Sequence, residues 1–176
     1  KNISIERFRD ELNKMLGGLY FEKAFCIMQQ TKVLNFFLPE VNSLLAEQMQ
    51  LLLFSTAYIK ELHVKGRCTK ENILFLRLSL ICYWVYKKDG IKIVKNLLKR
   101  LKHTNKMIEK ILHILPFCNF ETASLSTYEK VRHFIKDVGK ENITDVFLLK
   151  EALLSVTTDK QQDLILLNEL FSRIDG

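Results

Sequence analysis

The chain is poor in the residues that make tight turns. Its 176 residues include 6 glycines and 2 prolines, far fewer than a turn-rich all-β fold needs. No alternating polar and apolar run is long enough to suggest a sheet. Apolar residues make up 48% of the chain, which excludes intrinsic disorder because that much apolar surface can offset chain entropy. We therefore predict an all-α fold, a compact bundle of about eight to nine helices.

Long hydrophobic runs and paired cysteines are also missing. The longest apolar run, Ile73 to Tyr86, has 14 residues and contains Arg77, so it is too short to cross a membrane. The stretch from Lys1 to Asp10 is amphipathic and charged, unlike a secretory signal. The four cysteines form no C-x-x-C pair, which is typical of buried free thiols in a reducing compartment. We expect a cytoplasmic protein that does not contact membranes.

Residue patterns that carry catalysis are absent as well. The sequence has no glycine-rich phosphate loop, no Asp-x-Asp pair and no His-Asp dipeptide. Its four histidines are not spaced as metal ligands. We therefore predict no catalytic residue and no metal site in this chain.

Helix signals are frequent instead. Ser4 is a good N-cap for a helix that ends at Gly17-Gly18. Ser43 is predicted to cap a long helix to about Lys65, and Thr69 to start the central buried helix. Residues 38–40 and 87–90 are predicted to form turns, the second followed by a helix over 91–102. Residues 117–124 are predicted to form a loop, and the last helix is predicted to start at about Asp159.

The positive charge is concentrated in one segment. The chain has 27 basic and 20 acidic residues, and the 24 residues from Lys87 to Lys110 hold nine basic and two acidic ones, a net of +7. The remainder has 18 of each sign, so the whole excess lies there. Five lysines, spaced by 4, 3, 4 and 3 residues from Lys88 to Lys102, share one predicted helical stripe. Like charges at this spacing mildly destabilise a helix. Helix stability therefore does not explain the stripe. It is a solvated lysine face, a membrane-surface helix or, as we favour, a site for phosphates.

The amino-terminal segment resembles a known family. Ile3 to Leu16 reads I-S-I-E-R-F-R-D-E-L-N-K-M-L and resembles the S-x-E-R-I-R-D-E-L-x-K-I-L segment of bacterial tRNA nucleotidyltransferases and poly(A) polymerases. Phe37 to Glu40 is similar to the family's I-L-P-E signature, Leu98 to Asn105 to its R-L-K-x-S-N helix break, and Val131 to Gly139 to its L-R-x-F-I-x-x-x-G helix. These matches follow one another in the family's order.

The resemblance implies a division of the chain and a task. Residues 1–42 would be the end of the neck, 43–125 a helical body and 126–176 the start of the tail. The catalytic head, which uses magnesium and ATP or CTP to add nucleotides to RNA 3′ ends, would precede Lys1, on the same chain or a separate one. Many relatives carry a metal-binding His-Asp pair in the body. Here that stretch reads Ile81-Cys82-Tyr83-Trp84, so no phosphohydrolase activity is expected. The complete protein would be an enzyme, whereas this chain lacks the catalytic head.

The body would hold the acceptor and T-arm of tRNA, or another RNA, so that its 3′ end reaches the head. Arg7 is open to two roles, RNA contact or an ion pair with Glu11 four residues on. The alternative function is a non-catalytic helical module that docks a separate protein chain. The candidate RNA-binding residues are Lys88, Lys92, Lys95, Lys99, Arg100, Lys102, Lys106, Lys110, Arg7 and Arg9.

Overall fold

The computed structural model describes residues 3–157 and 161–174, and the regular secondary structure in that part of the chain is helical. The all-α prediction is confirmed, with no strand among these residues. The chain separates into two compact units, one up to Leu112 and one from His113 onward. This boundary differs from the ones drawn at 42 and 125 by resemblance, and the division into neck, body and tail stays a prediction.

The first unit is built from α1 to α8, the last of which reaches two residues into the second unit. Their bounds are α1 Ile5–Leu16, α2 Phe21–Gln30, α3 Val33–Phe37, α4 Pro39–Asn42, α5 Ala46–Val64, α6 Lys70–Asp89, α7 Ile91–Arg100 and α8 Asn105–Ile114. As predicted, α6 is the central buried helix, and it packs against α1, α4, α5 and α7. The cysteines are free, and those at 68, 82 and 118 are buried.

The second unit contains two 3-10 helices, Leu115–Asn119 and Thr122–Leu125, where the sequence suggested a loop. They are followed by α9 Tyr128–Val138, α10 Ile143–Leu154 and α11 Gln161–Ile174. The predicted start of the last helix, Asp159, lies outside the described residues. Phenylalanines 117, 120, 134 and 147 pack together within this unit.

Two cap predictions hold and one is wrong. The Ser4 hydroxyl accepts the Arg7 backbone N–H, and the Thr69 hydroxyl accepts that of Asn72. Ser43 does not start α5, whose N-cap is Leu45. Instead the Ser43 hydroxyl donates to the Glu40 carbonyl at the end of α4. In place of the turn predicted at Leu-Pro-Glu, Pro39 begins a short helix, because its fixed φ suits a first helical position.

Candidate nucleic-acid interface

Helix α7 has a buried side and a basic side. Val94, Leu97 and Leu98 are buried. Lys92, Lys95 and Lys99 recur at three- and four-residue spacing and are exposed. Lys92 and Lys99 are seven positions apart, which is about 10 Å along the helix, so the three ammonium groups form a row that can meet several phosphates of one strand.

The predicted five-lysine stripe is wrong at both ends. Helix α6 continues through residues 87–89 in place of the predicted turn, and Gly90 at φ 85° ends it. Lys88 therefore belongs to α6. At the other end, α7 stops at Arg100, and Lys102 adopts a left-handed φ of 56°. The row on α7 is thus the three lysines Lys92, Lys95 and Lys99.

A Schellman motif explains why α7 stops early. The backbone N–H of Lys102 donates to the Lys99 carbonyl at 2.9 Å, and that of His103 donates to the Leu98 carbonyl at 3.1 Å. This motif usually places glycine where Lys102 lies, because a side chain there costs roughly 1 kcal/mol or more. Because this position holds a lysine and not a glycine, the sequence does not signal that the helix ends here.

Two residues of α1 bind Lys102, which adopts this left-handed conformation. The Arg9 guanidinium donates to the Lys102 carbonyl at 2.7 Å, and the Lys102 ammonium pairs with Glu6. The hydrogen bond from Lys102 is the largest influence that lowers the pKa of Glu6 below its usual value. Glu6 and Arg9 thus tie the carboxyl end of α7 to α1.

Arg100 ties the same end of α7 to the α3–α4 junction. Its Nη2 donates to both carboxylate oxygens of Glu40, at 2.7 and 2.5 Å, and its Nη1 donates to the Phe37 carbonyl at 2.8 Å. Hydrogen bonds between ionised groups are roughly twice as strong as neutral ones. The Arg100 side chain is therefore occupied by the protein, although RNA contact by this residue stays a prediction.

The remaining candidates differ in how their charged groups are placed. Lys88 donates to the Ser43 hydroxyl at 2.7 Å and lies 3.6 Å from Asp89. The Lys110 ammonium lies 4.3 Å from the centre of the Phe75 ring. Arg7 is exposed, and its possible partner Glu11 binds Lys14 at 2.9 Å instead.

Lys106 is exposed in the first turn of α8, which Thr104 caps by accepting the Met107 backbone N–H. Lys92 occupies the equivalent place in α7, and neither helix has an acid in its first turn. A cation there opposes the helix dipole. These two lysines therefore weaken their own helices, and the same helix ends favour a bound anion such as phosphate.

Sequence reasoning noted Arg77 in an apolar run but did not find its role. Its side chain is fully buried. It donates to the carbonyls of Leu16, Gly18 and Thr56 at 2.6–3.1 Å and to the Glu22 carboxylate at 3.1 Å. Burial lowers the pKa of Arg77, and Glu22 opposes that shift. Arg77 thus joins α1, α2 and α5 to the central helix.

Within residues 3–157 and 161–174, no group of three or more His, Cys, Asp or Glu side chains is placed to hold a metal ion. No helix in the same ranges is long and apolar enough to span a membrane.

The comparison with protein families supports RNA binding. Residues 1–45 match the family described as "Probable RNA and SrmB- binding site of polymerase A". A search of curated proteins gave no match. At this coarse level, the chain is similar to poly(A) polymerase-related proteins in their RNA-binding region.

The side-chain contacts that hold Lys102, Arg100 and Lys88 to distant parts of the chain come from the matched segment. Glu6 and Arg9 hold Lys102, Phe37 and Glu40 hold Arg100, and Ser43 holds Lys88. The first 45 residues thus position the basic helix as well as resembling an RNA-binding region.

Proposed function

We propose that this chain is the RNA-binding helical body of a tRNA nucleotidyltransferase or poly(A) polymerase. It holds the acceptor and T-arm of tRNA while a head domain adds nucleotides to the 3′ end. The observation that carries the proposal is the exposed row Lys92, Lys95 and Lys99, fixed by contacts to a segment similar to an RNA-binding region.

The row suits a phosphate backbone rather than base edges. Lysine ammonium groups are flexible point charges that need no base-specific geometry. Phosphate contacts fix the register and orientation of a nucleic acid without reading its sequence. Such contacts match the task of a body that must accept many tRNAs and present one end of each.

Rigidity is the second requirement, because positioning contributes to catalysis only when the bound geometry is held. The ties of Arg100 to Glu40 and of Arg9 to the Lys102 carbonyl fix the carboxyl end of α7 without using Lys92, Lys95 or Lys99. Magnesium with ATP or CTP would be used by the head domain, and we assign them no residue here.

A charge-reversal pair tests the proposal. Lys95→Glu with Lys99→Glu should weaken tRNA binding by the full chain about 10- to 100-fold at low salt and make the log–log salt slope shallower by about 1.5 to 2. The matched control is Lys130→Glu with Lys136→Glu on α9, which makes the same change in net charge at exposed sites. Equal losses in both pairs, or none in the first, would refute the assignment of α7.

Competition tests which part of tRNA is held. A minihelix made of the acceptor stem and T-arm should compete with whole tRNA at similar concentration, and an anticodon hairpin should compete far more weakly. If the hairpin competes equally well, the chain does not select the acceptor arm.

The protein-docking alternative has one observation in its favour, the SrmB binding named in the matched family's description. It makes a different prediction in the same assay. A chain whose main task is to dock a protein should show little or no tRNA binding at low salt and a flat salt dependence.

A further inference from the structure

An exposed aromatic ring at the start of α2 is not among the residues assigned to RNA above. Tyr20 follows the Gly17-Gly18 turn and is 68% exposed. Its backbone is the N-cap of α2, but its side chain makes no capping hydrogen bond. Neither packing nor capping therefore accounts for a large ring at this position.

Two ammonium groups flank the ring. The Lys23 Nζ lies 5.6 Å from its centroid and the Lys60 Nζ lies 5.9 Å from it. The lysines come from α2 and α5, so the arrangement depends on the fold. The acid nearest in sequence, Glu22, binds Arg77 instead.

We infer that Tyr20, with Lys23 and Lys60, is a stacking site for an unpaired RNA base whose adjacent phosphates the two lysines bind. Exposed tyrosines beside basic groups are a common platform for single-stranded RNA, because every base has a face that stacks. This inference rests on the proposed RNA-binding function and adds a second site, for a single-stranded part of the RNA.

The chemistry of the site favours stacking of an RNA base on Tyr20 over the present lysine–ring contacts and over the binding of a protein partner. An exposed cation–π contact is weaker than the stacking of a base on the same ring, so either lysine can leave the ring for a phosphate. Protein interfaces are enriched in tyrosine but depleted of lysine, and this site has two lysines on one ring.

A comparison of base-containing and abasic RNA tests the site. The wild-type chain should bind a short single-stranded RNA about 5- to 100-fold more tightly than an abasic strand of the same length. Tyr20→Ala should lose that preference and Tyr20→Phe should keep it, since phenylalanine keeps the ring. Lys23→Gln with Lys60→Gln should make the salt slope shallower by about 1.4.

Phe36→Ala is the matched control, because Phe36 is 79% exposed in the same unit. It should keep the preference for bases. If wild type binds both strands equally, or if Tyr20→Ala and Phe36→Ala behave alike, the inference is wrong. Equal binding of both strands would show that no base stacks on the ring.

The two proposals fail separately. If tRNA binding responds to the Lys95 and Lys99 reversal but Tyr20→Ala keeps the preference for bases, only the stacking site is refuted. If the Tyr20 result holds and the reversal has no effect, only the assignment of α7 is refuted.

Discussion

The buried Arg77 allows a demanding prediction about stability. Its guanidinium supplies donors to three main-chain carbonyls and one carboxylate. Arg77→Ala leaves these acceptors without donors and opens a cavity in the first unit. The control is Arg7→Ala, which removes an exposed arginine from α1.

Two contributions set the size of the effect. Breaking one side of a buried ion pair costs about 3–5 kcal/mol, and each buried acceptor left unpaired costs about 1–3 kcal/mol. Glu22 is partly exposed and can be rehydrated, so most of the ion-pair cost is avoided and the three unpaired carbonyls dominate. We expect Arg77→Ala to lower the free energy of unfolding by about 4 kcal/mol.

Trp84 provides the assay. It is the chain's one tryptophan and lies in α6, so its fluorescence reports on the unit that contains Arg77. With a urea m-value of about 2 kcal/mol/M, the unfolding midpoint should fall by about 2 M. Arg7→Ala should change stability by less than about 0.5 kcal/mol.

Arg77→Lys separates charge from geometry. A single ammonium keeps the charge but cannot reproduce a planar fork that reaches acceptors on three helices. We expect a loss of about 2 kcal/mol, since part of the hydrogen bonding survives. If Arg77→Ala lowers the midpoint by less than about 0.5 M, the proposed role of Arg77 in stability is wrong.

Three smaller predictions follow from other buried or paired groups. Burial, reinforced by Arg9, lowers the pKa of His103, so stability should fall as pH drops below about 6.5, the unfolded value. His103→Gln should make the urea midpoint vary less between pH 7 and 5.5, and an unchanged pH dependence would count against this role of His103. Burial raises the pKa of Cys118 to about 12, so mass spectrometry should show alkylation of Cys26 well before that of Cys118. Alkylation of both thiols at the same rate would contradict this. The ion pair of Arg100 and Glu40 should give a double-mutant coupling of about 1 kcal/mol, and zero coupling would contradict a stabilising role.

Local patterns predicted most of the fold. Ser4 and Thr69 could be recognised as caps because an N-cap needs only a side chain and a backbone N–H three residues away. The central helix could be recognised from its continuous apolar run. Ser43 misled the same reasoning because the chain there forms the short helix α4 before α5 begins.

The candidate site was harder to predict because its organisation is non-local. Spacing correctly placed Lys92, Lys95 and Lys99 on one exposed face. The anchoring of Arg100 by Glu40 joins residues 60 positions apart, and no periodicity signals such a pair. The end of α7 was missed because Lys102 adopts a conformation that usually favours glycine.

The salt dependence of tRNA binding tests the central claim most directly. If Lys92, Lys95, Lys99 and Lys106 contact phosphates, the log–log slope should be roughly −2.8 to −3.6, and affinity should fall about 50- to 150-fold between 50 and 200 mM salt. Replacing the three lysines of α7 by glutamine should reduce the slope to about −1. A slope that stays the same after that replacement would contradict RNA binding by α7.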